Sequence, residues 1–189
     1  MTGRAALPLL LAAAALAGCS LDYAAVQADE RIADTIPDTV AIEVTHKVHE
    51  KGKLALEFEA GRTETWGAQK KMVLERVRVV QYGEDSSPAT SGEARRVVDH
   101  TDTENAEVSG SVRVRSESEK AGLDAPALSW ESKPKRLTAP AGAVVRITKD
   151  DGSSISGTGF SGDFRTREVS FSGPVEGSYV WSGDEQDGE

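Results

Sequence analysis

The chain has almost no cysteine, few aromatics and no surplus of positive charge. One cysteine in 189 residues excludes an intramolecular disulfide framework. Lysine and arginine total 22 against 31 aspartates and glutamates, a net charge of -9, and aromatics are 5% of the chain. The cations are dispersed rather than clustered, so no nucleic-acid partner is expected, because holding a polyphosphate needs grouped cations that release its counterions. Also lacking is an apolar run long enough to span a bilayer comfortably. Beyond residue 37 the chain lacks a sustained apolar stripe of helical period, which excludes a helical fold.

What is present begins with the cysteine. MTGRAALPLLLAAAALAGCS carries one arginine, an apolar run, and then Leu16-Ala17-Gly18-Cys19. Residues 1–18 read as a secretory signal peptide. The LAGC tetrad resembles that of bacterial lipoproteins, which implies cleavage before Cys19 and acylation of its thiol and new amino terminus. Each buried methylene contributes about 0.8 kcal/mol, so two or three chains hold a protein on a membrane. Residues 19–36 are expected to form a lipidated tether with a short helix, 37–181 one domain, and 182–189 an acidic disordered tail.

From Val40 the pattern is short apolar and polar alternation broken by Gly, Ser, Asp and Pro. Val40-Ala41-Ile42-Glu43-Val44 and Leu54-Ala55-Leu56-Glu57-Phe58 flank the turn signal Lys51-Gly52. Val77-Arg78-Val79, Val112-Arg113-Val114, Val145-Arg146-Ile147, Val169-Ser170-Phe171 and the neighbourhood of Val175 repeat the alternation. Period two with β-branched enrichment predicts half-buried antiparallel strands, hence an all-β fold. The runs recur about every 30–35 residues, as stacked hairpin layers do.

Gly157-Thr158-Gly159-Phe160-Ser161-Gly162 spells G-x-G-x-x-G, the pattern of a dinucleotide-binding turn. That site needs a strand before the glycines and a helix after them. Here Asp150-Asp151-Gly152 makes a hairpin turn just upstream, and an alternating run follows. The glycines are therefore expected within a strand, where Gly157 and Gly159 allow close approach of another chain or strand. Other chemistry is missing too. His46 and His49 lie three apart, on opposite faces of a strand, so they cannot share a metal ion. No serine stands in a nucleophile elbow, and Asp99, Asp102 and Glu104 lack the glycine and closing glutamate of a calcium loop. No cofactor, metal or catalytic residue is expected, and the protein is not expected to be an enzyme.

Leu128-Ser129-Trp130-Glu131, Leu137-Thr138-Ala139-Pro140, Val145-Arg146-Ile147, Asp150-Asp151-Gly152, Gly157-Thr158-Gly159-Phe160 and Phe171-Ser172-Gly173-Pro174-Val175 together resemble the LptC family, the periplasmic component of the lipopolysaccharide export ABC transporter, in a lipoprotein form. The resemblance runs over roughly residues 37 to 180. It implies a twisted, open β-jellyroll with an apolar groove that accepts acyl chains of lipopolysaccharide or a related glycolipid. The chains would come from inner-membrane ABC transporter subunits and pass to a periplasmic LptA-like jellyroll protein joined edge to edge. The groove would be lined by the inward residues of the runs: Ile42, Val44, Leu56, Phe58, Val77, Val79, Val112, Val114, Leu128, Trp130, Val145, Ile147, Val169, Phe171 and Val175. A chain of about twelve carbons loses roughly 10 kcal/mol on entering water, which a continuous apolar path avoids. The implied location is the periplasm, on a lipid anchor; the family points to the inner membrane, while Ser20 after the cysteine points outward under the enteric sorting rule. The acidic balance argues that acyl chains rather than phosphates dominate binding. The competing expectation is a structural or adhesive envelope lipoprotein with a closed β core and no lipid.

Overall fold

The computed structural model describes residues 35–181. Cys19, the signal peptide, nearly all of the tether and the acidic tail lie outside the described residues. Those described contain twelve strands and no helix. Six long strands come first: β1 (Thr39–Glu50), β2 (Lys53–Trp66), β3 (Lys71–Tyr82), β4 (Pro88–His100), β5 (Asn105–Ser116) and β6 (Ala121–Glu131). Six short ones follow: β7 (Arg136–Thr138), β8 (Val145–Lys149), β9 (Ser154–Gly157), β10 (Phe160–Asp163), β11 (Glu168–Phe171) and β12 (Val175–Ser178).

Strands β1 to β6 pair antiparallel in chain order, as a meander of hairpins. Turn chemistry explains the order. Lys51 (φ 49°) and Gly52 (φ 80°) form a two-residue turn closed by the pair Glu50 and Lys53, the left-handed geometry whose twist matches that of the strands. Several later hairpins use four-residue loops ending in a left-handed residue: Lys70, Glu104, Lys120, Lys135 and Arg167. At β6 the sheet divides. Residues 129–131 pair with β7, which continues through β10 to β11, whereas residues 121–124 pair with β8, which continues through β9 to β12. Among the described residues β1 pairs only with β2, β11 only with β10 and β12 only with β9, so the sheet stays open.

A seam crosses the long strands. Glu43 faces Gly61, Gly61 faces Arg76 and Arg76 faces Arg95, and at each of these positions the ladder is interrupted and then resumes in register. On β5 the seam falls at Gly110-Ser111, where an extra residue bulges against β4 and β6. Glu43 (φ 52°), Arg76 (φ 53°), Gly110 (φ 83°) and Ser111 (φ 61°) are left-handed. A left-handed residue between extended halves turns the strand over, so alternation restarts on the other parity. Gly61 is required here: the Arg76 guanidinium lies where its Cβ would stand and reaches Glu43 at 3.4 Å.

The seam corrects one expected position. Ile42 and Val44 do not share a face, because Glu43 inverts the strand between them. Val44 pairs with the buried Ala60, whereas Ile42 pairs with Arg62 and is 58% exposed.

Candidate functional site

The curled sheet brings β2 and β3 over β6 and β7, and a cavity of about 410 Å³ lies between them. Leu56, Phe58, Val77, Val79, Val112, Val114 and Leu128, all expected as groove residues, line it together. The volume falls within the roughly 300–1,000 Å³ typical of small-molecule pockets. Across the ladder Phe58 stands opposite Val79, and on its other side the His46 ring lies 5.2 Å away. The opposite face of the same strands is charged. Lys47 meets Glu57 at 3.0 Å, Arg113 meets Glu93 at 2.7 Å, and Arg115 grips Asp150 with two bonds of 2.6 and 2.8 Å. The Arg115 guanidinium, by donating to Asp150, holds that carboxyl below the usual aspartate range. Charge outside and hydrocarbon inside follow from one alternation, read separately on each side of the seam.

Toward the carboxyl end the interior is filled. Val112, Ala125, Leu128, Val145 and Phe160 form a buried cluster, with Val114, Ile147 and Phe171 packed against it. Val145 has 0% exposure, and Phe160 meets Phe171 edge-on at 5.6 Å. The two arms that diverge at β6 converge here, since a Cβ on Gly157 would lie 2.9 Å from Phe171 Cδ1 and from the Pro174 carbonyl oxygen. Val145, Ile147 and Phe171 thus fill space with protein. Trp130 is half-buried and packs edge-on against Phe164 at 5.5 Å. Val169 and Val175, expected in the groove, lie on the short terminal strands, 56% and 47% exposed, and line no covered part of the cavity. The reason is topological: an edge strand has a neighbour on one side only.

The glycine motif is not one strand, as expected, but a crossing between two. Gly157 ends β9, and Gly159 (φ 66°) occupies the bend before β10. No helix follows. The Ser172 hydroxyl occupies the place a Gly159 Cβ would take, and the Ser172 amide donates to the Gly159 carbonyl at 3.1 Å. Gly159→Ala is expected to cost about 1–3 kcal/mol, from left-handed strain plus displacement of Ser172. Gly122→Ala is the matched control, since its Cβ would meet only the Val114 carbonyl oxygen at 3.7 Å. Urea denaturation of both variants measures the difference.

Sequence reading missed Met72, Leu74, Val97, Asp99, Val108 and Leu137, which also line the cavity. Leu74 and Val77 are three apart, as are Ala94 and Val97, spacings that no uniform period of two places on one face. The missed signal is Arg76 and Arg95, charged residues that each interrupt a run at the same depth. Phe160 was hidden inside the glycine motif.

A family model described as LptC, lipopolysaccharide-assembly, LptC-related, matches residues 6–180. No curated protein matches the chain. Among solved structures, similarity is found to the crystal structure of LptH, the LptA homologous periplasmic component of the conserved lipopolysaccharide transport device from Pseudomonas aeruginosa. The two share 14% identity over 66% of this chain and 94% of that one, with a TM-score of 0.49.

Proposed function

The chain belongs to the LptC-related lipopolysaccharide-assembly family, and we propose that its part in lipopolysaccharide transport is that of a passive, non-enzymatic conduit for acyl chains. Chains delivered by inner-membrane ABC transporter subunits enter the cavity between β2, β3 and β6 and leave toward an LptA-like jellyroll joined through an unpaired strand edge. Cys19 carries the lipid that holds the domain at the membrane surface. The observation that carries this reading is the unfilled apolar space lined by Leu56, Phe58, Val77 and Val79, in a sheet that never closes on itself. Open edges support strand addition by a partner.

The filled end refines the route. Val145 and Phe160 leave little room for a tail, so chains pass through the half of the sheet built by β2 to β6. A photoreactive residue at Phe58 or Val79 is expected to capture lipid from envelopes, whereas one at Arg78 on the charged face captures little. Equal capture at Val79 and Arg78, or none anywhere, would leave the closed structural lipoprotein as the better reading.

A further inference from the structure

The hairpin order gathers cations that the sequence scatters. The β6–β7 turn, residues 132–135, touches the β10–β11 turn, residues 164–167, because the Phe164 amide donates to the Lys135 carbonyl at 2.9 Å. Together they present Lys133, Lys135, Arg165 and Arg167, all exposed, with Arg136 exposed beside them at the start of β7. Among the described residues Lys133, Lys135, Arg136 and Arg167 form no ion pair with an acid. Arg165 lies 3.6 Å from Asp163, whose carboxylate is already engaged by the Arg165 and Thr166 amides. Glu168 accepts from the Thr166 hydroxyl and Glu131 faces Arg136 across the ladder, so acids are present but outnumbered, in a chain whose net charge is -9. Three turns at the opposite end of the strands carry the reverse sign: Glu84 and Asp85 in 83–87, Glu117 and Glu119 in 117–120, Asp150 and Asp151 in 150–153. The β4–β5 turn holds Asp102 and Glu104, and Glu104 accepts from the Ser132 hydroxyl at 3.2 Å, which confines the basic ground to the two touching turns.

Hydrocarbon begins one residue away. Leu137, next to Arg136, lines the apolar cavity and pairs with Trp130, and the Trp130 ring meets Phe164 edge-on at 5.5 Å. Phe164 is 60% exposed beside Arg165. Apolar lining, then an aromatic pair, then cations is the order of parts that matches an amphiphile with an anionic head. We propose that the two turns form a head-group station at this end of the cavity, binding phosphate on an amphiphile whose chain lies in the cavity past Leu137. This inference rests on the groove holding hydrocarbon. One exposed ion pair in water is weak, so free phosphate is not retained. A chain held in the groove keeps its own phosphate at high local concentration beside several cations, and their contributions accumulate.

The test uses the full chain with a photoreactive residue at Phe58, which captures a neutral twelve-carbon probe. Dodecyl phosphate and dodecyl maltoside, of equal chain length, compete below their micelle concentrations, and the ratio of their half-competing concentrations is compared between wild type and variants. The triple variant Lys133→Gln, Lys135→Gln, Arg167→Gln is expected to weaken dodecyl phosphate about tenfold relative to dodecyl maltoside. Its undiminished capture of the neutral probe reports that fold and cavity are intact. The triple variant Lys51→Gln, Lys120→Gln, Lys149→Gln removes the same charge at the opposite end, with two of its three positions likewise left-handed, and is expected to leave the ratio unchanged. Inorganic phosphate at the concentration of dodecyl phosphate is expected to leave it unchanged as well. A ratio that moves equally in both variants, or in neither, overturns the station and leaves the hydrocarbon groove standing. A wild-type preference erased by inorganic phosphate means an anion site independent of the chain and overturns the proposal too. Failure of wild type to capture even the neutral probe overturns both the station and the groove.

Discussion

Val79→Glu is expected to yield a folded protein that has lost its hydrocarbon load. Val79 sits between Phe58 and Gly92 in the ladder, half-buried, with its side chain in the cavity lining. In the empty groove the new carboxylate can reach water through the open side, so folding loses only about 1–2 kcal/mol. Once a tail fills the groove the carboxylate must be dehydrated or the tail must leave, a penalty of several kcal/mol. Lipid capture is then expected to fall by about a hundredfold or more. Arg78→Glu, one residue away on the charged face, changes charge by more and is expected to leave capture intact. Mass spectrometry of co-purified lipid, beside a thermal melt of each variant, decides the matter. Retention of wild-type lipid by a folded Val79→Glu protein would mean that the cavity is not the route.

Phe160→Ala carries the largest expected effect on stability. The ring is 4% exposed, packs in the cluster of Val112, Ala125, Leu128 and Val145, and meets Phe171 edge-on. It lies where the two arms of the sheet converge, so its loss leaves a void that neither arm can collapse into without breaking the pairs of β10 with β7 and β11. Truncation of a buried phenylalanine costs about 3–5 kcal/mol, which lowers the melting temperature by roughly 8–15 °C for a domain of this size. Phe164→Ala is the contrast. That ring is exposed and touches Trp130 by an edge, so its removal is expected to cost about 1 kcal/mol or less. The Phe160 cluster lies toward the carboxyl end, so a Phe160→Ala protein held below its melting point should still capture lipid at Phe58. Loss of capture in step with Phe160 would tie the two ends into one unit.

How far the sequence could be read depends on the range of the interaction involved. Alternation at Leu56 to Phe58 and at Val77 to Val79 is local, and those residues line the cavity together; at Leu54 a register shift in the β1–β2 ladder breaks it. The same rule fails at Ile42, where a single left-handed residue reverses the strand. It fails again across Arg76, which separates Leu74 from Val77 although both line the cavity. Such a residue costs about 1–2 kcal/mol in isolation, so propensity argues against it. Only its neighbours across the ladder make it favourable, as the Arg76 side chain lying over Gly61 does.

The amino-acid sequence by itself determined the all-β class, the hairpin order and the apolar character of one face, because turn residues and period-two alternation act over a few positions. The division of the interior into an open cavity beside Phe58 and a filled end around Val145 and Phe160 was decided only in three dimensions. That division depends on how far the sheet curls and on where two arms, joined to the same strand, come together.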